Sequence, residues 1–125
     1  MIFDTDVLVW VFRGSAKAAG AVRAETDRCL SVITYMELMQ GVRDKEEAKD
    51  VRVFLKNLGF EMLPLTPEIG HRAALYIEEY SLKSGLRLGD ALVAATAVES
   101  GQRLFSGNRR HFQQIADLEL ALFHL

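Results

Sequence analysis

Short apolar segments alternate with helix-like segments along the whole chain, and this alternation constrains the fold more than any other feature. A strand followed by a helix before the next strand pairs in parallel, through a right-handed crossover. The pattern predicts strands over 1–4, 28–30, 60–65, 103–105 and 118–123. Between them it predicts helices over 7–12, 17–25, 32–40, 44–57, 66–83, 90–100 and 108–115. Ser31 suits the N-cap of the third helix, with Gly41 as its stop. Ala48, Val51, Leu55 and Leu58 share one face of the fourth, which Gly59 ends. The expectation is an α/β fold: a three-layer α/β/α sandwich with a four- or five-stranded, mainly parallel sheet, in one domain over 1–125. Ligands of such sheets sit outside the carboxyl ends of the strands.

Composition excludes several classes. The chain has 125 residues, half of them apolar and 26% charged, which is a globular balance rather than a disordered one. Cys29 is the single cysteine, so no disulfide framework or Cys-rich zinc site is expected, and its predicted strand position makes it inert. No uncharged run exceeds eight residues, so no membrane span is expected, and residues 1–4 do not open a signal peptide. A reducing cytoplasm is the natural setting. Fifteen Lys and Arg against 17 Asp and Glu give −2, which excludes a protein that coats nucleic acid by charge alone.

Four acids lie in unusual company. Asp4 and Asp6 are the only charges before Arg13, Glu37 is the only one between Arg28 and Arg43, and Asp90 the only one between Arg87 and Glu99. The segments 2–12, 29–39 and 88–98 otherwise read as core. A buried carboxylate must be paired, hydrogen-bonded, protonated or bound to metal. No Lys or Arg accompanies these acids within their segments. Asp4 at a strand end and Asp90 at a helix start fall at the same sheet edge. Convergence with Glu37 would make an all-oxygen pocket suited to magnesium or manganese. The plainer alternatives are that Asp90 caps its helix, that Asp4 and Asp6 cap the first one, and that Glu37 lies on an exposed face.

A fourth constellation is Phe105-Ser106-Gly107-Asn108-Arg109-Arg110-His111-Phe112. Asn108 suits a helix cap and also a hydrogen bond to a metal-bound water. Arg109 and Arg110 suit a solvated face or phosphate contact at the mouth of the site. His71, His111 and His124 are scattered and read as structural, and no Ser-His-Asp or Cys-His set is visible.

At these residues the sequence resembles the PIN domains, in particular VapC-type toxins of type II toxin–antitoxin systems. The resemblance runs through Asp4-Thr5-Asp6-Val7-Leu8, Ser31-Val32-Ile33-Thr34-Tyr35-Met36-Glu37-Leu38, Gly89-Asp90-Ala91-Leu92-Val93-Ala94-Ala95-Thr96-Ala97 and Asn108-Arg109-Arg110-His111-Phe112, in the family's order and spacing. It implies a magnesium- or manganese-dependent endoribonuclease that leaves 5′-phosphate and 3′-hydroxyl ends. It carries over Asp4, Glu37 and Asp90 as the acidic triad and metal ligands, with Asn108 as the fourth site residue. Asp6 matches a position that varies in the family. Ser106 and Thr5 fall in the outer shell. Asn108 replaces the acid many members carry, which bears on a second metal. The implied partners are an RNA substrate, a cognate antitoxin and a second copy of the chain, as a homodimer or a dimer of dimers. Trp10, Phe12, Tyr35 and Met39 are candidates for a groove that receives an antitoxin helix.

Three rivals remain. An inactive PIN-like binding module would keep the fold and lose the chemistry. An aspartyl-nucleophile phosphatase would match Asp4-Thr5-Asp6 but wants a lysine and a later acidic pair, which Ser106-Gly107-Asn108 does not offer. A receiver-like signalling module wants an Asp after the third strand, where Pro64-Leu65-Thr66 stands. The net charge fits a local acidic site: taking Asp4, Asp6, Glu37 and Asp90 from the 17 acids leaves 13 against 15 bases.

Overall fold

The computed structural model describes residues Met1–Leu125. Five strands, β1 (Ile2–Phe3), β2 (Cys29–Ser31), β3 (Glu61–Leu63), β4 (Leu104–Ser106) and β5 (Leu120–Leu122), form one sheet in the order β3-β2-β1-β4-β5. Every pairing is parallel, with Ile2 opposite both Cys29 and Leu104. The helices are α1 (Thr5–Phe12), α2 (Ala16–Ala24), α3 (Val32–Gly41), α4 (Lys45–Asn57), α5 (Pro67–Ser84), α6 (Leu88–Glu99) and α7 (Arg109–Phe112).

Alternation along each strand divides the core in two. Ile2, Cys29 and Leu104 face one layer, where α5 and α6 contribute Ile69, Ala73, Tyr76, Val93 and Ala97. Phe3 and Leu30 face the other, with Val7, Leu8, Val22, Val51 and Leu55. The three-layer sandwich is therefore the observed architecture. α3 touches both cores, through Ile33 on one side and Leu38 on the other.

Several expected boundaries shift. α1 begins at Thr5 rather than Val7, because Asp4 leaves β1 and caps the helix. β2 and β4 extend to Ser31 and Ser106, both fully buried. Gly41 does not stop α3 but belongs to it, and Val42 is the cap. α6 begins at Leu88, two residues before the expected start, so Asp90 is its third residue and not its N-cap. Its carboxylate accepts the Arg87 backbone N–H at 3.2 Å, which is half of a capping box. α7 is a single turn, far shorter than 108–115. Gly85, at φ 73°, closes α5 in the left-handed conformation that a side chain resists.

The chain runs outward from β1 through β2 to β3, then returns to the opposite flank of β1 for β4 and β5. The order reverses between β1 and β4. Open α/β sheets form their ligand crevice at such a reversal, beyond the carboxyl ends of the strands.

Candidate active site

Asp4 and Ser106 are the residues at that crevice. The Asp4 carboxylate accepts the Thr5 N–H at 2.9 Å through one oxygen and the Ser106 hydroxyl at 2.7 Å through the other. Asp4 is only 7% exposed. Burial, then the neighbouring Asp6 charge, pushes its pKa up to about 7, against the two hydrogen bonds that favour the anion. Asp90 adds a smaller push in the same direction.

Asp6 lies one helical residue beyond Thr5. One of its oxygens accepts the Gly107 N–H at 3.0 Å. The other, Oδ1, is buried and has no hydrogen-bond partner. Burial raises its pKa, the Gly107 bond opposes that, and Asp90 again adds repulsion. A Cβ on Gly107 would stand 2.9 Å from the bonded Asp6 oxygen, so the absence of a side chain there is what lets the strand–turn backbone reach the acid.

Asp90 accepts His111 Nδ1 at 2.7 Å as well as the Arg87 N–H. Asp4, Asp6 and Asp90 thus repel one another across the crevice, and no Lys or Arg forms an ion pair with any of them.

Glu37 stands slightly apart. It is exposed, not buried, which corrects the expectation drawn from its apolar flanks; α3 turns Met36 and Glu37 together toward solvent. Glu37 joins the site through Thr5, whose hydroxyl donates to Oε1 at 2.6 Å. A Cβ on Gly89 would lie 3.2 Å from its other oxygen, so α3 and the start of α6 meet closely here.

Asn108 caps α7 by accepting the His111 N–H at 3.3 Å, and its backbone N–H donates to Ser106 Oγ at 3.0 Å. Its amide nitrogen faces His111 Nδ1 at 2.9 Å, so the link from Asn108 to the acids passes through Ser106 and His111. Arg109 and Arg110 are exposed, and Arg109 bonds Gln113 on its own turn. No three His, Cys, Asp or Glu side chains stand close enough together to hold a metal ion as placed. The carboxylates whose charges act on one another are those of Asp4, Asp6 and Asp90.

Sequence reasoning did not foresee the contact of His111 with Asp90, or the closeness of Gly89 and Gly107 to the acids. The signal for His111 was present: it lies one helical turn after Asn108 and so shares its face.

Trp10, Phe12, Tyr35 and Met39 do not together line the cavity beside α1. A cavity of about 640 Å³ opens between α1, α3 and α4, floored by Val9, Phe12, Leu38, Val42 and Val51 and rimmed by Arg13, Glu37, Arg43, Glu47 and Asp50. Of the four candidates only Phe12 lines it; Trp10, Tyr35 and Met39 pack against the core around Phe3 instead.

Together, fold and site define a doubly wound α/β protein with carboxylates gathered at its switch point. The chain belongs to the PIN domain family, whose model matches residues 1–118. It is similar in structure to a chain of a toxin–antitoxin complex from Klebsiella pneumoniae, at 27% identity and a TM-score of 0.83, over 99% of this chain and 98% of that one. It also resembles a chain of VapBC2 from Rickettsia felis bound to a fragment of promoter DNA, at 19% identity and a TM-score of 0.83, over 99% and 100%. A chain of VapBC-1 from nontypeable Haemophilus influenzae gives 22% identity and a TM-score of 0.76, over 98% of each. No curated protein matches the sequence. No helix is long and apolar enough to cross a membrane.

Proposed function

We propose that this chain is the toxin of a toxin–antitoxin pair and acts as a magnesium- or manganese-dependent endoribonuclease. One observation carries the chemistry: Asp4 is buried and Asp6 half-buried, neither has a cationic partner, and the buried Asp6 Oδ1 has no hydrogen-bond partner at all. Stranded carboxylate oxygens need a compensating charge, and an all-oxygen donor set fits a hard divalent ion. Asp4, Asp6 and Asp90 would hold it, drawing closer together than they stand without it. When bound, such an ion supplies Lewis acidity, lowering the pKa of water and offsetting charge that develops on a phosphodiester in flight.

The chain's own residues do the rest. Ser106 and the Thr5 N–H keep the Asp4 oxygens aimed across the crevice. Gly107 does the same for Asp6. Glu37, anchored by Thr5 but open to solvent, accepts the proton of the attacking water and orients it for in-line displacement. Asn108 sets the turn that brings Arg109 and Arg110 to the rim, where phosphates of single-stranded or loop RNA would pass.

Likeness to chains from toxin–antitoxin complexes supports the toxin assignment. The cavity between α1, α3 and α4 suits an antitoxin helix, with an apolar floor and a charged rim. Glu37 lies on that rim, so an occupant of the groove would reach the acids. The protein would act in the cytoplasm as a homodimer or a dimer of dimers.

The test is cleavage of total RNA by the purified chain. Cleavage with magnesium, lost in EDTA and in Asp4→Asn, is the expected result. Undiminished cleavage in EDTA, or by Asp4→Asn, overturns the mechanism. Equal activity of the free chain and its antitoxin complex overturns the toxin assignment.

A further inference from the structure

His111 has no place in the chemistry above, yet it makes the shortest contact to Asp90. Its Nδ1 lies 2.7 Å from Asp90 Oδ2. Both side chains are about four-fifths buried, at 20% and 19% exposure, so the contact is held out of bulk solvent. A carboxylate can only accept, so the proton of this bond belongs to Nδ1, and the Asn108 amide nitrogen 2.9 Å away, itself a donor, then makes no hydrogen bond to it. The other ring nitrogen lies over the α5–α6 turn, where a Cβ on Gly85 would be 3.9 Å from Nε2. The ring is therefore wedged between that turn and the start of α6.

Its own anchoring is short-range and complete. Asn108 Oδ1 accepts the His111 N–H, Asn108 N–H bonds Ser106 Oγ, and Ser106 Oγ–H bonds Asp4. One turn of backbone thus connects the two acids on opposite sides of the crevice. The Asp4 end is held by a serine hydroxyl and the Asp90 end by an imidazole.

We infer that His111 is a positioning residue, holding the Asp90 carboxylate toward Asp4 and Asp6 through Nδ1. Without it Asp90 keeps only the Arg87 N–H at 3.2 Å, and repulsion from the other two acids would turn it outward. An outer-shell partner that orients a metal-binding group typically changes metal affinity by about 10–100-fold. The inference rests on the proposed metal site for its consequence, but the tether itself does not need a metal.

Two measurements on the full chain decide it. Nitrogen-15 NMR of the imidazoles reads the tautomer without metal. The expected result is a His111 ring protonated at Nδ1 in the parent, with its signal shifted in Asp90→Asn. Calorimetric titration with Mn2+ alone reads the consequence. His111→Leu should weaken binding about 10-fold, and His111→Asn, whose amide nitrogen replaces Nδ1, should retain it within about 3-fold. His111→Leu should add no loss in an Asp90→Asn background. If His111→Leu does not fold, His111→Asn against His111→Gln decides, since the longer amide overshoots Asp90; equal affinity of the two overturns the inference. An unchanged affinity in His111→Leu, or a bare Nδ1 in the parent, also overturns it. A parent that binds no Mn2+ but shows the Nδ1-protonated ring overturns the metal reading and leaves the tether standing.

Discussion

Two groups of carboxylates in this molecule are treated in opposite ways. On the outer side of α5, Arg72 bridges Glu99 and Asp117 at 2.5 and 2.6 Å, and Asp117 also accepts the Tyr76 hydroxyl at 2.9 Å. Each acid there has a cation, although both remain partly open to water, which already screens them. At the β1–β4 crevice the acids are more deeply buried and have no such cation. The protein thus offers arginine to acids that need it little and withholds it from acids that need it most. Stability alone does not explain that distribution. The proposed cation site would, since stability and function commonly trade against each other at such places.

The strongest way to break the contrast is to neutralise one member of each group. Asp4→Asn is expected to lower RNA cleavage by at least about 100-fold while raising folding stability by about 1–2 kcal/mol, read by cleavage assay and thermal melting. A destabilised Asp4→Asn would mean that its charge is already compensated in the free protein. Gly107→Ala sharpens the geometry. Its new methyl would press on Asp6 Oδ2, and cleavage should fall about 10-fold, with about 1–3 kcal/mol of lost stability. Full activity in that variant would place Asp6 outside the working site.

The pH dependence follows from sign. Asp4 holds its proton more tightly folded than unfolded, with a folded pKa of about 7 against 3.8. Its contribution to stability is therefore present below about 4 and lost as pH rises through 7. The metal-free chain should melt lower at pH 8 than at pH 5, and Asp4→Asn should flatten that slope. The smallest effect belongs to the compensated group: Arg72→Ala should cost about 1 kcal/mol and leave cleavage unchanged. Loss of cleavage there would erase the distinction between the two groups.

The layering was legible because short apolar strands alternate with helices, of which α4 carries a clear stripe through Val51 and Leu55. Asp4 and Asp90 were legible because one charge in an apolar run has few bland explanations. Glu37 shows the weakness of that logic. Met36 beside it is 46% exposed, so an apolar neighbour did not mean a buried face. The start of α6 was missed because Arg87 is not a capping residue and Leu88 stays 70% exposed, leaving nothing to mark the end. The two close glycines were illegible for a different reason. Their roles depend on which elements meet across the crevice, and no local pattern carries that.

The position of β1 has a consequence for how the site comes into being. The middle strand is made of Ile2 and Phe3, yet one of its two neighbours is β4, and the Asp4–Ser106 bond joins residues 102 apart. During synthesis β1 and β2 can pair early, but the crevice has only one wall until β4 emerges. Contacts of such long range close late, because their loop entropy is spent before they give anything back. A ribosome-bound chain lacking β4 would carry Asp4, Asp6 and Glu37 without the backbone that aims them. For a protein proposed to cut RNA, that order of assembly keeps the nascent chain harmless to the message that encodes it.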